Sequence, residues 1–260
     1  MPTGSIINFQ DRHCLISCFF NLFLILFFFL SIECYTQENE VISGVLPVIT
    51  RTDSILGADD ELVNGKIYIQ EHLMAAGHPF FLSSEWYVGS ITVNGNIFED
   101  VFLKYNIYTD ELILKAERYR GGTVVISLNN EFVDNFRLGD RYFVNSINFK
   151  VRGLQTDFVE LLYHGNFDFF VSYVKLFNNN YNNKTPYGNY TKTLSSFYIF
   201  QGGLLVSVGS KKSLLDYFEL YKKEIKKFMK KHKIKYGKAS YKELSVLMQY
   251  CDKLTEEPVK

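Results

Sequence analysis

The hydrophobic pattern along this chain has a period of two over most of its length and changes to a helical period near the C-terminus. Two apolar runs, Trp86–Val93 and Ile97–Tyr108, flank Asn94-Gly95-Asn96, and an Asn-Gly pair supplies the positive φ angles that a type I′ hairpin turn needs. Because no helical pattern separates this hairpin from the β-type runs that follow, we expect antiparallel pairing. Those runs are Glu111–Ala116, Thr123–Leu128, Phe132–Leu138, Phe158–Tyr163, Phe167–Leu176, Phe197–Gln201 and Leu204–Val208.

A period of 3.6 residues begins after Ser210 and predicts two amphipathic helices. The second helix has an N-terminal capping box, formed by Ser240 and by Glu243 three residues later. The apolar face of the first helix is Leu214, Leu215, Phe218, Tyr221, Ile225, Phe228 and Met229. The apolar face of the second helix is Leu244, Leu247, Met248, Cys251 and Leu254.

These patterns predict a mainly β (α+β) fold. Its body is an antiparallel meander sheet, arranged as a sandwich or a partly open barrel, and a C-terminal amphipathic helical pair packs on that body. We expect residues 1–36 to be a signal peptide or signal anchor, residues 37–64 a polar lead-in, residues 65–210 the β-rich body and residues 211–255 the helical pair. Residues 178–191 are polar and rich in asparagine, which predicts an exposed loop within the body.

The N-terminal region carries an export signal. Leu15–Ile32 is a long apolar run behind Arg12, which predicts insertion into a translocon with the N-terminus in the cytoplasm. The run exceeds most signal-peptide cores and lies at the lower limit for a membrane span, so cleavage near Gln37 and retention as an anchor both stay open, with cleavage favoured. Lipidation of Cys34 is a third alternative, which Glu33 directly before it disfavours. We expect the protein to be exported, periplasmic or outer-membrane-associated, and membrane-anchored if the segment is retained.

Charge is balanced over the whole chain, with 28 basic and 28 acidic side chains, but it is unevenly distributed. Residues 37–210 contain 13 Lys and Arg against 19 Asp and Glu, whereas residues 211–238 contain 11 Lys against three acids. A lysine-rich helix face is a candidate interaction surface for anionic lipid or an acidic partner, and a solvated face is the simpler interpretation. Nucleic-acid binding is not expected, because the body is acidic and the protein is exported. The lysines of this face are Lys222, Lys223, Lys226, Lys227, Lys230 and Lys231.

The sequence contains no motif for catalysis, cofactor binding or metal binding. Its histidines lack the spacing of a zinc site, and it has no nucleophile elbow. Adjacent carboxylates such as Glu99 and Asp100 point to opposite faces of a strand and form no acid–base pair by themselves. Cys251 is interpreted as a small apolar residue on a helix face. We therefore predict no catalytic, cofactor-binding or metal-binding residue, and no cofactor.

A glycan-binding or glycan-processing module is an alternative from a different functional class. The aromatic residues of Phe167–Val174 alternate along a predicted strand and would line a sugar platform, with Asp110 or Glu160 as the acid. Aromatic residues in this pattern more often belong to the core of a sheet, which makes the platform the second interpretation.

Three stretches of the chain share a pattern with a group of exported proteins. They are Gly89–Leu112, Phe158–Gly165, and the C-terminal helices with Tyr241-Lys-Glu-Leu and Leu247-Met-Gln-Tyr-Cys. Over residues 65–255 the chain resembles uncharacterised exported β-rich envelope proteins of Bacteroidota-type bacteria. Asn106 stands where members of that group often have Asp. The resemblance implies a bacterial envelope and brings no activity with it.

The leading functional hypothesis follows from the export segment, the missing catalytic motifs and the segregated charge. It is a non-enzymatic exported envelope protein that acts through interaction with another envelope component, either a protein or a glycan. Membrane-surface binding through the lysine-rich helix is a further alternative.

Overall fold

The computed structural model describes Leu62 and residues 65–117, 122–149 and 154–256. The predicted export segment, Leu15–Ile32, lies outside the described residues, and so does the lead-in apart from Leu62. Signal cleavage and anchoring therefore stay predictions. Within the part of the chain that is described, no helix is both long enough and apolar enough to cross a membrane.

The described body consists of strands that follow one another along the chain, some joined by tight turns and others by longer segments. They are β1 (Gly65–Ile67), β2 (Tyr87–Val93), β3 (Asn96–Asn106), β4 (Glu111–Glu117), β5 (Thr123–Leu128), β6 (Val133–Leu138), β7 (Arg141–Asn145), β8 (Phe158–His164), β9 (Asp168–Val174), β10 (Phe177–Asn178), β11 (Asn189–Tyr190), β12 (Leu194–Gln201) and β13 (Leu204–Ser207).

Eleven of these strands form one sheet in the order β1-β5-β4-β3-β2-β6-β7-β8-β9-β12-β13, and β10 pairs with β11 in a second, small sheet. Every pairing is antiparallel. The large sheet begins at β1 and ends at β13, so it is open. The prediction of a mainly β, antiparallel meander fold is confirmed.

Turn residues explain the hairpins that the sequence predicts. Between β2 and β3, Asn94 and Gly95 both have positive φ angles, of 48° and 81°, as a type I′ turn requires. Gly89 in β2 is needed for a different reason. A Cβ atom at this position would lie 1.9 Å from the carbonyl oxygen of Arg137 in β6, so only glycine fits. This close approach lets β2 pair with β6 on one side and with β3 on the other.

Two strands of the large sheet have no counterpart in the sequence analysis. They are β1 and β7, of three and five residues. β7 lies in the middle of the sheet between β6 and β8, where it contributes Phe143 to the core. Both strands are too short for a hydrophobic period to be visible in the sequence.

The core has a large aromatic cluster under the sheet and a second cluster between the sheet and the C-terminal helices. In the first cluster Phe136 and Phe143 stack with ring centroids 4.8 Å apart, and Tyr105 meets Phe158 edge to face at 5.8 Å. Aromatic pairs of these geometries add about 0.5–1.5 kcal/mol beyond their buried area. The core thus combines phenylalanine and tyrosine rings from neighbouring strands with a larger number of aliphatic side chains.

The C-terminal region forms three helices: α1 (Lys211–Tyr217), α2 (Lys222–Lys231) and α3 (Tyr241–Glu256). The first helix of the predicted pair is therefore divided in two. The division occurs at Phe218, whose backbone leaves the helical region while its side chain is buried in the second cluster, and a 3₁₀ turn at Glu219–Tyr221 follows.

The predicted capping box of α3 is confirmed. The backbone N–H of Glu243 donates to Ser240 Oγ at 3.3 Å, and the backbone N–H of Ser240 donates to Glu243 Oε2 at 2.7 Å. These bonds satisfy donors that the first turn of a helix otherwise leaves without a partner. The predicted apolar face is also in place, since Leu247 and Cys251 are completely buried.

The asparagine-rich segment is exposed along most of its length. Its two ends differ from the prediction of a plain loop, because Phe177–Asn178 pairs with Asn189–Tyr190 and the Tyr190 side chain is buried. The backbone N–H of Tyr190 also donates to the carbonyl of Ala76 at 3.0 Å. The base of the segment is thereby fixed to the chain that precedes β2.

Candidate functional site

Asp110, the first candidate acid, lies in a cleft of about 620 Å³ at the end of the β3–β4 turn. The cleft is lined largely by polar side chains, including Glu111, Glu131 and Asp157. Asp110 itself has a left-handed backbone, with φ of 57°. Burial raises the pKa of Asp110 above its usual range, against the opposing effect of its hydrogen bonds.

Both carboxylate oxygens of Asp110 accept hydrogen bonds from the protein. Oδ1 accepts from the Tyr105 hydroxyl at 2.5 Å, and Oδ2 accepts from the backbone N–H of Asp157 at 2.5 Å. Asn130 Nδ2 completes the arrangement by donating to the Asp110 carbonyl at 2.6 Å and to Asp157 Oδ2 at 2.9 Å. The Asp110 carboxylate thus connects the β3–β4 turn to the segment before β8, and its backbone carbonyl connects the turn to the segment before β6.

The cleft offers no metal site within the described residues, where no group of three or more His, Cys, Asp or Glu side chains converges. Lys66 closes one side of it through an ion pair of 2.8 Å with Glu111. Asn130 Oδ1 is buried without a hydrogen-bond partner in the described part of the chain. We find no chemistry in this arrangement beyond polar contact.

Glu160, the second candidate acid, lies in a separate buried network in the middle of the sheet. Its carboxylate forms a two-pronged ion pair with Arg141 of β7 and accepts a hydrogen bond of 2.6 Å from the Tyr173 hydroxyl. Arg141 also donates to the same hydroxyl at 2.9 Å, and its guanidinium lies 4.3 Å from the ring centre of Tyr241 in α3. Burial, followed by the charge of Glu160, raises the pKa of Tyr173 far above its usual range. The network joins β7, β8 and β9 to the start of α3.

The structure does not bring the two candidate acids into one site. Asp110 and Glu160 belong to different hydrogen-bond networks, and each is engaged by protein donors. The aromatic residues proposed as a sugar platform are packed inside the protein, because Phe167, Phe169 and Tyr173 are buried in the core. A glycan site on the strand aromatics stays a prediction, and the burial of these side chains gives it no support.

Lys175 is a buried charged residue that the sequence analysis missed. Its Nζ donates to the backbone carbonyls of His78 and Phe80, both at 2.9 Å. Burial lowers the pKa of Lys175. The only sequence signal is a lysine that directly follows the apolar end of β9, and its partners lie almost a hundred residues earlier. The side chain fastens the segment before β2 to the end of β9.

The lysines singled out from the sequence lie on α2. We call Lys222, Lys223, Lys226, Lys227, Lys230 and Lys231 the lysine face. Five of the six are exposed, and Lys222 is partly buried through an ion pair of 2.9 Å with Asp216, whose hydrogen bond raises the pKa of Lys222. The opposite side of α2 is buried, with Ile225 and Met229 in the second core cluster. A ring stack of 4.0 Å between Phe228 and Tyr250 holds α2 against α3.

Comparison with known proteins gives no match. No protein-family model fits the sequence, and no curated protein and no solved structure is significantly similar to it.

Proposed function

We propose that this protein is exported and acts without catalysis, by attaching to an anionic surface of the cell envelope through the lysine face. The export part of the proposal is supported by the apolar segment Leu15–Ile32. The attachment part is supported by one observation, which is that α2 presents its lysines on a rigid support. Its ten residues contain six lysines and one acid, Glu224, while Ile225 and Met229 anchor the helix in the core.

The geometry favours lipid headgroups as the partner. The lysine face carries charge over the whole length of a helix, as suits a diffuse layer of negative charge. Exposed lysines continue beyond α2 at Lys233, Lys235 and Lys238. Leu220, two residues before α2, is an apolar side chain that is 80% exposed.

The burial of Ile225 and Met229 determines how deep such a contact goes. A free amphipathic helix inserts its apolar face among the acyl chains, but the apolar face of α2 already packs on the sheet and on α3. The contact is therefore electrostatic and remains at the level of the headgroups. Each lysine near an anionic membrane contributes about 1 kcal/mol, and this contribution falls off within a Debye length of about 8 Å at physiological salt.

Vesicle sedimentation tests the proposal with the chain that begins at Gln37. We expect binding to vesicles of phosphatidylglycerol and phosphatidylcholine, little binding to phosphatidylcholine alone, and release by salt. Replacing Lys226, Lys227, Lys230 and Lys231 by Glu removes about 4 kcal/mol of attraction, which corresponds to roughly a thousandfold in affinity.

The matched control changes the net charge equally at four exposed lysines outside the helix. These are Lys184, Lys192, Lys242 and Lys253, also replaced by Glu. The control is expected to retain most of its vesicle affinity. Equal loss of binding in both variants would show that net charge, and not the lysine face, governs attachment. Binding that is indifferent to salt would contradict the proposal outright.

A further inference from the structure

A groove of about 390 Å³ lies between the chain before β2 and the asparagine-rich segment. One wall is His72-Leu-Met-Ala75, and the other contains Tyr181, Pro186 and Tyr187. Its volume is within the range of sites that bind small ligands. None of the residues that line it is an Asp, Glu, Lys or Arg. The groove is therefore suited to an uncharged ligand.

Two tyrosines in the groove are exposed to an unusual degree. Tyr181 is 66% exposed and Tyr187 is 56% exposed, whereas every other described tyrosine is buried or half-buried. Each ring presents an apolar face together with a hydroxyl that donates and accepts hydrogen bonds. Such a side chain fits a ligand that has apolar faces and polar edges.

The walls of the groove are held in place before any ligand arrives. On one side, the His72 ring stacks on Phe177 at 3.7 Å with the planes 5° apart, and Tyr190 donates to the carbonyl of Glu71 at 2.9 Å. The backbone N–H of Ala76 donates to the carbonyl of Gly188 at 3.0 Å, which links the two walls directly. A preformed groove lowers the ordering cost of binding.

The loop that carries the tyrosines is itself ordered by hydrogen bonds. Asn182 Oδ1 accepts from the backbone N–H groups of Lys184 and Thr185, at 2.9 Å and 3.1 Å, and its Nδ2 donates to Thr185 Oγ1 at 2.8 Å. These bonds hold the turn between Tyr181 and Tyr187, so the two tyrosines are carried on an ordered loop.

We infer that this groove, which we call the tyrosine groove, binds a neutral carbohydrate. A sugar ring combines an apolar C–H face for the rings of Tyr181 and Tyr187 with hydroxyl groups for their phenol oxygens, and it carries no charge. The site differs from the sugar platform expected from the sequence, because it uses loop tyrosines and not strand aromatics. It is independent of the lysine face and would stand if attachment to lipid failed.

Saturation-transfer NMR with the full chain tests the inference, in a zwitterionic detergent that has no sugar headgroup. The probes are chitotetraose, cellotetraose and mannotetraose. We expect saturation transfer to at least one of them. Tyr181→Ala and Tyr187→Ala should each weaken that affinity by about tenfold, as the loss of one aromatic contact implies. Tyr181→Phe and Tyr187→Phe keep the rings and should retain more of the affinity than the alanine variants do.

Two further variants serve as controls. Leu204→Ala with Leu220→Ala removes exposed apolar surface at another place and should leave sugar binding unchanged. Charge reversal of the lysine face should also leave it unchanged, which separates this inference from the proposed function. No transfer to any of the three probes would overturn the inference. Transfer that persists in the doubly substituted Tyr181→Ala and Tyr187→Ala protein would also overturn it, because the sugar would then bind elsewhere.

Discussion

The ion pair of Arg141 and Glu160 provides the most direct test of how the sheet is held to the helices. We predict that Glu160→Gln strongly destabilises the fold. The Arg141 side chain is 16% exposed and that of Glu160 is 4% exposed, so both charges are largely removed from water. The substitution leaves the Arg141 cation in place without its counter-charge and changes the shape of the site very little.

The magnitude follows from the partners that remain. Breaking a buried ion pair by removing one member costs about 3–5 kcal/mol. Arg141 would keep its hydrogen bond to Tyr173 and the ring of Tyr241, and a cation–π contact of this kind retains up to about 2 kcal/mol. The expected loss is therefore at the lower end, about 3 kcal/mol. For a domain of this size, that corresponds to a fall in Tm of roughly 6–12 °C.

Urea unfolding followed by circular dichroism measures the effect as a shift in midpoint at constant slope. Two controls are available in the same chain. Asp216→Asn breaks an exposed ion pair with Lys222 and should change stability little. The double variant Arg141→Met with Glu160→Leu replaces the pair by apolar side chains and should recover part of the loss, because it removes the unpaired cation but also takes two hydrogen-bond partners from the Tyr173 hydroxyl.

The reasoning would be refuted by either of two results. Glu160→Gln could unfold at the same midpoint as Asp216→Asn, which would mean that the buried charges are not coupled to folding. The double variant could be as unstable as the single one, and then the loss would come from packing and not from the uncompensated Arg141 cation.

Two further predictions concern stability. Gly89→Ala should lower the free energy of unfolding by about 3 kcal/mol, the upper end for overpacking, because the new Cβ atom would collide with the Arg137 carbonyl. Gly209→Ala is the control: its Cβ atom would point into open space, and urea unfolding should show no change in stability. The second prediction concerns three tyrosines. Burial is the main cause that raises the pKa values of Tyr68, Tyr163 and Tyr190 to about 12 each. Because these pKa values exceed the unfolded value of about 10, the associated stability is complete below about pH 10 and is lost as the pH rises toward about 12. Absorbance of tyrosinate should show these residues ionising together with alkaline unfolding, and their ionisation near pH 10 in a folded protein would contradict the prediction.

Local chemistry explains the parts of the fold that the sequence predicts. The β2–β3 turn follows from Asn94 and Gly95 because their side chains permit positive φ without any help from the rest of the protein. The start of α3 follows from Ser240 and Glu243 for the same reason, since a capping box is complete within four residues. Information of this kind is visible in a short window of sequence.

Features that depend on distant partners were not predictable in this way. Phe218 fits the helical period of the first predicted helix, yet its burial in the core ends α1 there. Lys175 reads as a surface lysine until its carbonyl partners at His78 and Phe80 are known. Tyr181 and Tyr187 occur in a stretch that is too polar to form a core, and only the fold shows that they face a groove.

The charge pattern of α2 argues against a merely solvated surface. Lysines recur four residues apart at Lys222, Lys226 and Lys230 and again at Lys223, Lys227 and Lys231, and each like-charged pair of this spacing destabilises a helix by about 0.2–0.5 kcal/mol. Lys222 and Lys223 also lie at the positive end of the helix dipole. If the face were only in contact with water, alternating positive and negative side chains would solvate it equally well. The chain instead holds α2 together through its buried side and through α3, which the Arg141 network and Tyr163–Asp252 fasten to the sheet. The like-charged pairs thus reduce helix stability while the positive surface stays fixed, which agrees with the proposed attachment to an anionic layer.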